Sequence, residues 1–504
     1  MAEQHGTDRR IGGHDGIEGV ALTRPQLNRL TGSFLGAAVG DAVAAPFEFD
    51  RAGRWSETFP TPVLGGSGEM IGGGSFDWAR GEATDDTQMA VALAWSLGHT
   101  GGFDADDLWA RFRAWAAGAV DIGINTRAVL AHTHHVDAAR RVHEETGRSA
   151  SNGSVMRIAP VAIMGVRLGA RDTVELASAQ SRLTHHDPAA AAGAALVAET
   201  IRRTIITGDF EASLEDAFET VREHADAEVV AELDEYVRLL APGFDPRRAG
   251  GHGNGSVWGA VSQAVWGVRS TVTFYDAISA VADLGGDTDT VAAITGALAG
   301  ALYGRQEIPS RWTSYLHVNV DTLGGDTRTL HTPDIVDLAR GLVGLGPVRQ
   351  TPPEQAYGPY EVDPAGVWAA DLSGASVAPT DHAIVSLCLT GTAFRGHSHR
   401  REVYMRDENG DHNPSLGAAV SDAVDAIDAF LAEGRRVVVH CHGGRSRTGL
   451  VLRAWWMRRN TATSAEAREW IDEAWPRWEN WTRDFDDFLD DVWEPLVFSG
   501  GRPR

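Results

Sequence analysis

Residues 344–366 read GLGPVRQTPPEQAYGPYEVDPAG. Pro and Gly recur through this stretch, and its apolar residues follow neither a helical nor a strand period, so it is expected to be an interdomain linker. The chain has 504 residues, more than one hydrophobic core usually serves, which agrees with a division there. The expected organisation is a loose tail over 1–25, a first domain over 26–343, the linker over 344–366 and a second domain over 367–504.

Upstream of the linker the apolar residues recur at helical spacing, as in Leu27, Leu30, Phe34 and Leu35, and again in Met89, Ala92 and Leu93. Further runs cover 189–206, 227–240, 257–268 and 274–284, so the first domain is expected to be all-α. Downstream the pattern changes. Short apolar runs at 383–389 (AIVSLCL) and 435–441 (RRVVVHC) flank a helical stretch at 418–431, the alternation of an α/β domain.

Composition narrows the class of partner. With 69 acidic against 45 basic residues the formal charge is −24, so nonspecific binding to nucleic acid or to anionic lipid is not expected. The first 24 residues carry Arg9 and Arg10 but no apolar core of signal-peptide length. The apolar stretch at 291–303 is Gly-rich and too short to cross a bilayer, and reads as a buried helix. Two cysteines, Cys388 and Cys441, exclude a disulfide framework and suit a reducing cytoplasm.

Two acidic clusters stand far apart in the first domain. GEATDDTQM at 81–89 offers Thr84, Asp85 and Asp86, and GGDTDT at 285–290 offers Asp287, Asp289 and Thr290, each just before an apolar helix. One such residue would suffice to cap a helix. Three oxygen side chains at each entrance repel one another unless a hard cation sits between them, so the pair reads as a site for two magnesium or manganese ions. By contrast HTHHVDAARRVH at 132–143 matches no closed zinc ligand set, and GGHGNG at 250–255 follows no strand as a dinucleotide loop would.

In order along the chain, GAAVGDAVAAPFEF (36–49), TDDT (84–87), DIGINT (121–126), SNGSVMR (151–157), THHD (184–187) and GGDTDT (285–290) resemble the motifs of the ADP-ribosylglycohydrolase family over about residues 26–304. That resemblance implies a helical domain that removes ADP-ribose from a modified acceptor. It implies that Thr84, Asp85, Asp86, Asp287, Asp289 and Thr290 hold a dinuclear magnesium or manganese centre gripping the distal ribose. Cleavage at the anomeric carbon needs a carboxylate to handle a proton while water attacks, and Glu48 and Asp121 are the candidates. Asn152, Gly153, Ser154 and Arg157 fall on the family's substrate loop, and His185 falls near its adenosine side.

In the second domain VVVHCHGGRSRTG (437–449) places Cys441 after a β-branched strand, Arg447 six positions later and Thr448 next, before a helical stretch. Amides of His442, Gly443, Gly444, Arg445, Ser446 and Arg447 in such a strand–loop–helix can converge on a phosphate, and the helix end lowers a thiol pKa. The roles that follow are thiolate nucleophile for Cys441, bidentate clamp for Arg447, and for Thr448 a hydroxyl assisting breakdown of the phosphocysteine. Residues 367–500, including VSLC at 385–388 and the helix before HC, resemble the small dual-specificity type of cysteine-dependent phosphatase. A general acid is expected on a preceding loop, Asp407 in preference to Asp411, while Cys388 lies in an apolar strand and is expected to be inert. The whole reads as a two-site hydrolase acting on ADP-ribosylated and phosphorylated substrates; the competing reading is a sensor that binds ADP-ribose or phosphate without turnover.

Overall fold

The first and last long helices of the helical domain touch backbone to backbone. Arg24–Ala44 and Thr288–Tyr303 run antiparallel, with Gly32, Gly36 and Gly40 facing Gly300, Gly296 and Ala292. A Cβ on Gly36 would lie 2.2 Å from the Gly296 carbonyl oxygen, and one on Gly300 would lie 2.1 Å from that of Gly32. Only hydrogen fits, and Ser33 Oγ closes the seam by donating to the Ala297 carbonyl at 3.0 Å. This contact carries Asp41, near the end of the first helix, to the start of the second. The 24-residue stretch Arg24–Phe47 is longer than the apolar run expected at 291–303 and is long and apolar enough to cross a membrane, but 94% of its most apolar window is buried inside the protein.

The structure is a computed structural model that describes residues 21–248, 252–348, 350–391, 393–410 and 412–501. As expected, a helical domain precedes a small α/β domain. The helices Pro188–Thr207, Val257–Arg269 and Phe274–Ala282 match the periodic runs, while 227–240 is broken into Ala227–Ala231 and Leu233–Leu239. One element departs from the all-α expectation: strands β1 (His317–Asp321) and β2 (Thr327–His331) form an antiparallel hairpin. Their burial is limited, and short half-exposed strands leave little periodic signal. The hairpin steadies the approach to the first acidic cluster, since Ala83 N donates to the His317 carbonyl and His317 N to that of Gly81, both at 2.9 Å.

The second domain is a five-stranded sheet in the order β3 (Tyr360–Asp363), β4 (Val367–Asp371), β7 (Val437–Cys441), β5 (Ala383–Ser386), β6 (Arg400–Glu402). β3 is an antiparallel edge and the other pairings are parallel. β3 lies inside the stretch expected to be linker; its alternation is hidden by the flanking Pro and Gly residues. The helix Leu416–Ala432 buries Val420, Val424, Ile427 and Phe430 in the same core as the buried strand residues Val437 and Val439.

The two domains share a polar, hydrogen-bonded seam. Gln306 Nε2 donates to the Tyr404 carbonyl at 3.0 Å, Ser310 N to Asp422 at 2.8 Å, and Arg400 to the Ser314 carbonyl at 2.9 Å. Arg401 is 1% exposed, its guanidinium donating to the Leu64 carbonyl at 2.8 Å and stacking on Phe430.

Candidate active sites

The first site forms where helix Asp85–Thr100 and helix Thr288–Tyr303 present their N-termini to each other. Thr84 and Asp287 occupy the two N-cap positions, yet neither side chain caps its own helix. Asp287 instead accepts from Asn152 Nδ2 at 2.7 Å, and Asn152 also donates to the Asn254 carbonyl at 2.8 Å. Thr290 Oγ1 reaches Asp86 at 3.5 Å, and Thr84 Oγ1 reaches the same oxygen at 3.4 Å, so Asp86 links the clusters. Carboxylate oxygens of Glu48, Asp287 and Asp289 lie within 4.8 Å of one another.

This many acids cannot all ionise without a compensating charge. Burial first, then the nearby charges of Asp121, Asp287, Asp85 and Asp41, pushes Glu48 up to about 9. Burial and Asp287 push Asp121 up to about 6. Asp85, Asp86 and Asp289 are raised well above the carboxylate range, by burial before any neighbour. Glu48 Oε2 and Asp86 Oδ1 are buried with no hydrogen-bond partner. Orphaned hard oxygens among crowded carboxylates are the donor set of a divalent oxygen-preferring cation, so these residues fit a metal centre.

Asp41 was not among the expected site residues. It is fully buried and accepts from the amides of Thr84 (3.0 Å) and Thr87 (3.1 Å) and from Thr87 Oγ1 (2.5 Å), fixing the turn that carries Asp85 and Asp86. A carboxylate set in a Gly/Ala helix, GAAVGDAVAAP, is the signal that could have found it. Asn254, which positions Asp287 N at 3.1 Å, was also missed.

Two residues expected to contact substrate lie behind the loop. Arg157 is wholly buried, with its guanidinium bonded to Gln180 (2.9 and 3.0 Å) and Thr184 (2.8 Å) and stacked over Phe112. His185 is likewise buried between Ser151 (2.8 Å) and Thr184 (2.8 Å), and burial with the Arg157 charge holds it neutral, down to about 3. Both support the 151–154 loop from behind. Asn152, Gly153 and Ser154 are themselves buried, Ser154 against Ser181 at 2.8 Å, and of these Asn152 reaches the acidic cluster.

In the second domain Cys441 ends β7 and the helix Ser446–Asn460 starts five residues on. The intervening loop is braced through its carbonyls: Gly443 O accepts from Arg477 at 3.1 Å and Gly444 O from Trp475 Nε1 at 2.7 Å. Gly444 has φ +67 and sits against Ala370, where a Cβ would come within 2.8 Å of the carbonyl oxygen. Arg447 Nη1 donates to the Leu387 (2.9 Å) and Met405 (3.1 Å) carbonyls, and its Nε lies 3.6 Å from Asp407. Thr482 Oγ1 holds the other oxygen of Asp407 at 2.8 Å. Thr448 Oγ1 is buried without a partner. The side chains of His442 and Arg445 are turned to Thr351 and Glu479, and Ser446 bonds the Glu479 carbonyl, which leaves only their amides for a ligand. Burial pushes the Cys388 thiol up, against activation. Asp411 lies outside the described residues.

A family model described as ADP-ribosylglycohydrolase matches residues 22–352. The chain belongs to the ADP-ribosylglycohydrolase family. Its helical part is 30% identical over 302 residues to the ADP-ribosyl-(dinitrogen reductase) glycohydrolase of Rhodospirillum rubrum, covering 60% of this chain and 94% of that protein. It is 32% identical over 294 residues to the ADP-ribosylarginine hydrolase Tri1 of Pseudomonas putida, covering 57% and 73%. This glycohydrolase-family chain carries an appended domain, for residues 383–479 match the dual specificity phosphatase catalytic domain. There, 80 residues are 31% identical to human dual specificity protein phosphatase 1, covering 16% of this chain and 21% of that protein.

Proposed function

We propose that the chain is a two-site hydrolase that releases ADP-ribose at the first site and inorganic phosphate at the second. The observation that carries the first half is the convergence of Glu48, Asp287 and Asp289 within 4.8 Å beside the Asp86–Thr290 link. Thr84, Asp85, Asp86, Asp287, Asp289 and Thr290 would hold two magnesium or manganese ions, whose charge would polarise and orient the ribose hydroxyls. Asn152 orients Asp287. Glu48 and Asp121 supply the carboxylates for proton transfer: one accepts the proton of the attacking water as its oxygen bonds to the anomeric carbon, and the acceptor departs with a proton.

At the second site the Cys441 thiolate attacks phosphorus while Asp407 gives its proton to the leaving alcohol. Arg447 holds the phosphoryl oxygens, and water then cleaves the phosphocysteine with help from Thr448, regenerating the thiol and releasing phosphate. The two halves are tested separately. With magnesium or manganese present, wild type should release ADP-ribose from ADP-ribosylated protein and Asp289→Ala should not. Phosphate release from p-nitrophenyl phosphate should vanish in Cys441→Ser and persist in Asp289→Ala. Release of neither product by wild type rejects the reading.

A further inference from the structure

The carboxyl ends of the parallel strands β4, β5, β6 and β7 all point the same way, and Cys441 sits on that edge. In open parallel sheets this edge is where ligands bind. Here a cavity of about 380 Å³ lies over it. One wall comes from the strand ends: Leu372 after β4, Leu389 after β5 and Arg406 after β6. Leu389 and Arg406 stand two and one residues from the Leu387 and Met405 carbonyls that hold Arg447, and Leu372 N donates to the His442 carbonyl at 3.2 Å. No residue of 441–447 lines the cavity, which lies beside the segments that brace that loop and hold Arg447.

The opposite wall belongs to the other domain. It is made by the first turns of helix Arg24–Ala44, by Arg305, and by helix Thr332–Leu342 with Arg340. Five arginines line the space, Arg24, Arg305, Arg340, Arg395 and Arg406, together with Asp334 and Asp337. Their charges are only partly met. Arg24 and Arg406 share Glu408, Arg305 stands 3.7 Å from Glu402 over the Tyr404 ring, and Arg406 Nε is buried without an acceptor. Among the described residues no carboxylate lies within ion-pair distance of Arg395. Burial holds Arg340 below its usual value, opposed by the neighbouring Tyr404 and Asp337 and reinforced more weakly by Arg406 and Arg24. With five arginines against two aspartates the lining is net basic, in a chain of net charge −24.

We propose that this interdomain cavity is the substrate pocket of the Cys441 site and that it takes a small phosphomonoester carrying at least one further phosphate, of nucleotide size. The inference rests on the reading of Cys441 as a phosphatase nucleophile. Guanidinium groups arranged around a space of this volume match several phosphate oxygens, whereas a single phosphate is already served by the loop and Arg447. The helical domain supplies one wall of the cavity, so an extended phosphopeptide would have to pass between the two domains. The substrate is thus selected by both domains, although the chemistry belongs to one.

Calorimetry on the full-length Cys441→Ser protein tests this with adenosine 3′,5′-bisphosphate, inorganic phosphate and a phosphotyrosine peptide as probes. The bisphosphate should bind at least tenfold more tightly than either of the others, and adding Arg340→Ala should weaken it at least tenfold, which localises the binding to this cavity. Arg24→Ala, at a partly exposed position, gives a second variant that tests the same wall if Arg340→Ala lowers the melting temperature. Peptide binding as tight as that of the bisphosphate, or bisphosphate binding within twofold of the parent in both arginine variants, overturns the proposal. Wild-type turnover of p-nitrophenyl phosphate tests the nucleophile separately: if it is absent while the bisphosphate result holds, the phosphatase reading falls and the cavity is a binding site for the bisphosphate, not a substrate pocket.

Discussion

Asp407 Oδ2 stands 3.6 Å from Arg447 Nε, while its other oxygen accepts from Thr482, so the residues proposed as acid and phosphate clamp of the second site are held by each other. In the proposed mechanism an incoming phosphoryl group would take over the guanidinium and free the carboxyl for the leaving oxygen. Asp407→Asn is expected to lower kcat about 100-fold for alkyl phosphates and by far less for p-nitrophenyl phosphate, whose leaving group needs no proton. Steady-state kinetics on the two substrates checks it; equal losses would remove Asp407 from the role of acid.

Asp41 works on the first site through the Thr84 and Thr87 amides. Asp41→Asn places an NH2 group or a weaker acceptor against those donors, and metal affinity measured by titration calorimetry should fall by roughly 10–100-fold, as for other groups that orient ligands. Unchanged affinity would reduce Asp41 to a packing element.

Chelated protein should lose stability as pH rises. Glu48 at about 9, with Asp121 and Asp41 at about 6, keeps protons in the folded chain that the unfolded chain releases above the ordinary carboxyl range. Their contribution is complete below that range and disappears as pH climbs through 6 towards 9. Melting temperature in EDTA should drop by roughly 5 °C or more between pH 5 and 8.5, and magnesium or manganese should flatten the slope. A melting curve that rises with pH would contradict this.

Gly36→Ala sets a methyl 2.2 Å from the Gly296 carbonyl oxygen, and the two helices must part. The expected cost is about 3 kcal/mol, read from denaturant unfolding. Ala substitution at exposed Gly98, where a Cβ meets nothing, is the control. Equal stability of the two variants would show that the seam yields easily.

Much of this was legible in the chain. The acidic clusters announced themselves because three oxygen side chains at a helix entrance exceed what capping needs, and the Cys441 loop because strand, glycines and Arg447 occur in one short run. What escaped reading depends on contacts made across the sequence. Arg157 looks like a surface phosphate ligand until Gln180 and Thr184 are seen to enclose it. Asp41 sits 43 and 46 positions from the Thr84 and Thr87 amides it serves, and the hairpin 317–331 and strand β3 have too few alternating residues to stand out.

The buried guanidinium of Arg401 carries a further meaning. It belongs to β6 of one domain, where it donates to the Arg400 carbonyl, yet it also donates to the Leu64 carbonyl of the other, so parting the domains removes one of the acceptors of a buried cation. The chain should therefore melt as one cooperative unit, with a single calorimetric transition, and the second domain expressed alone should be poorly soluble.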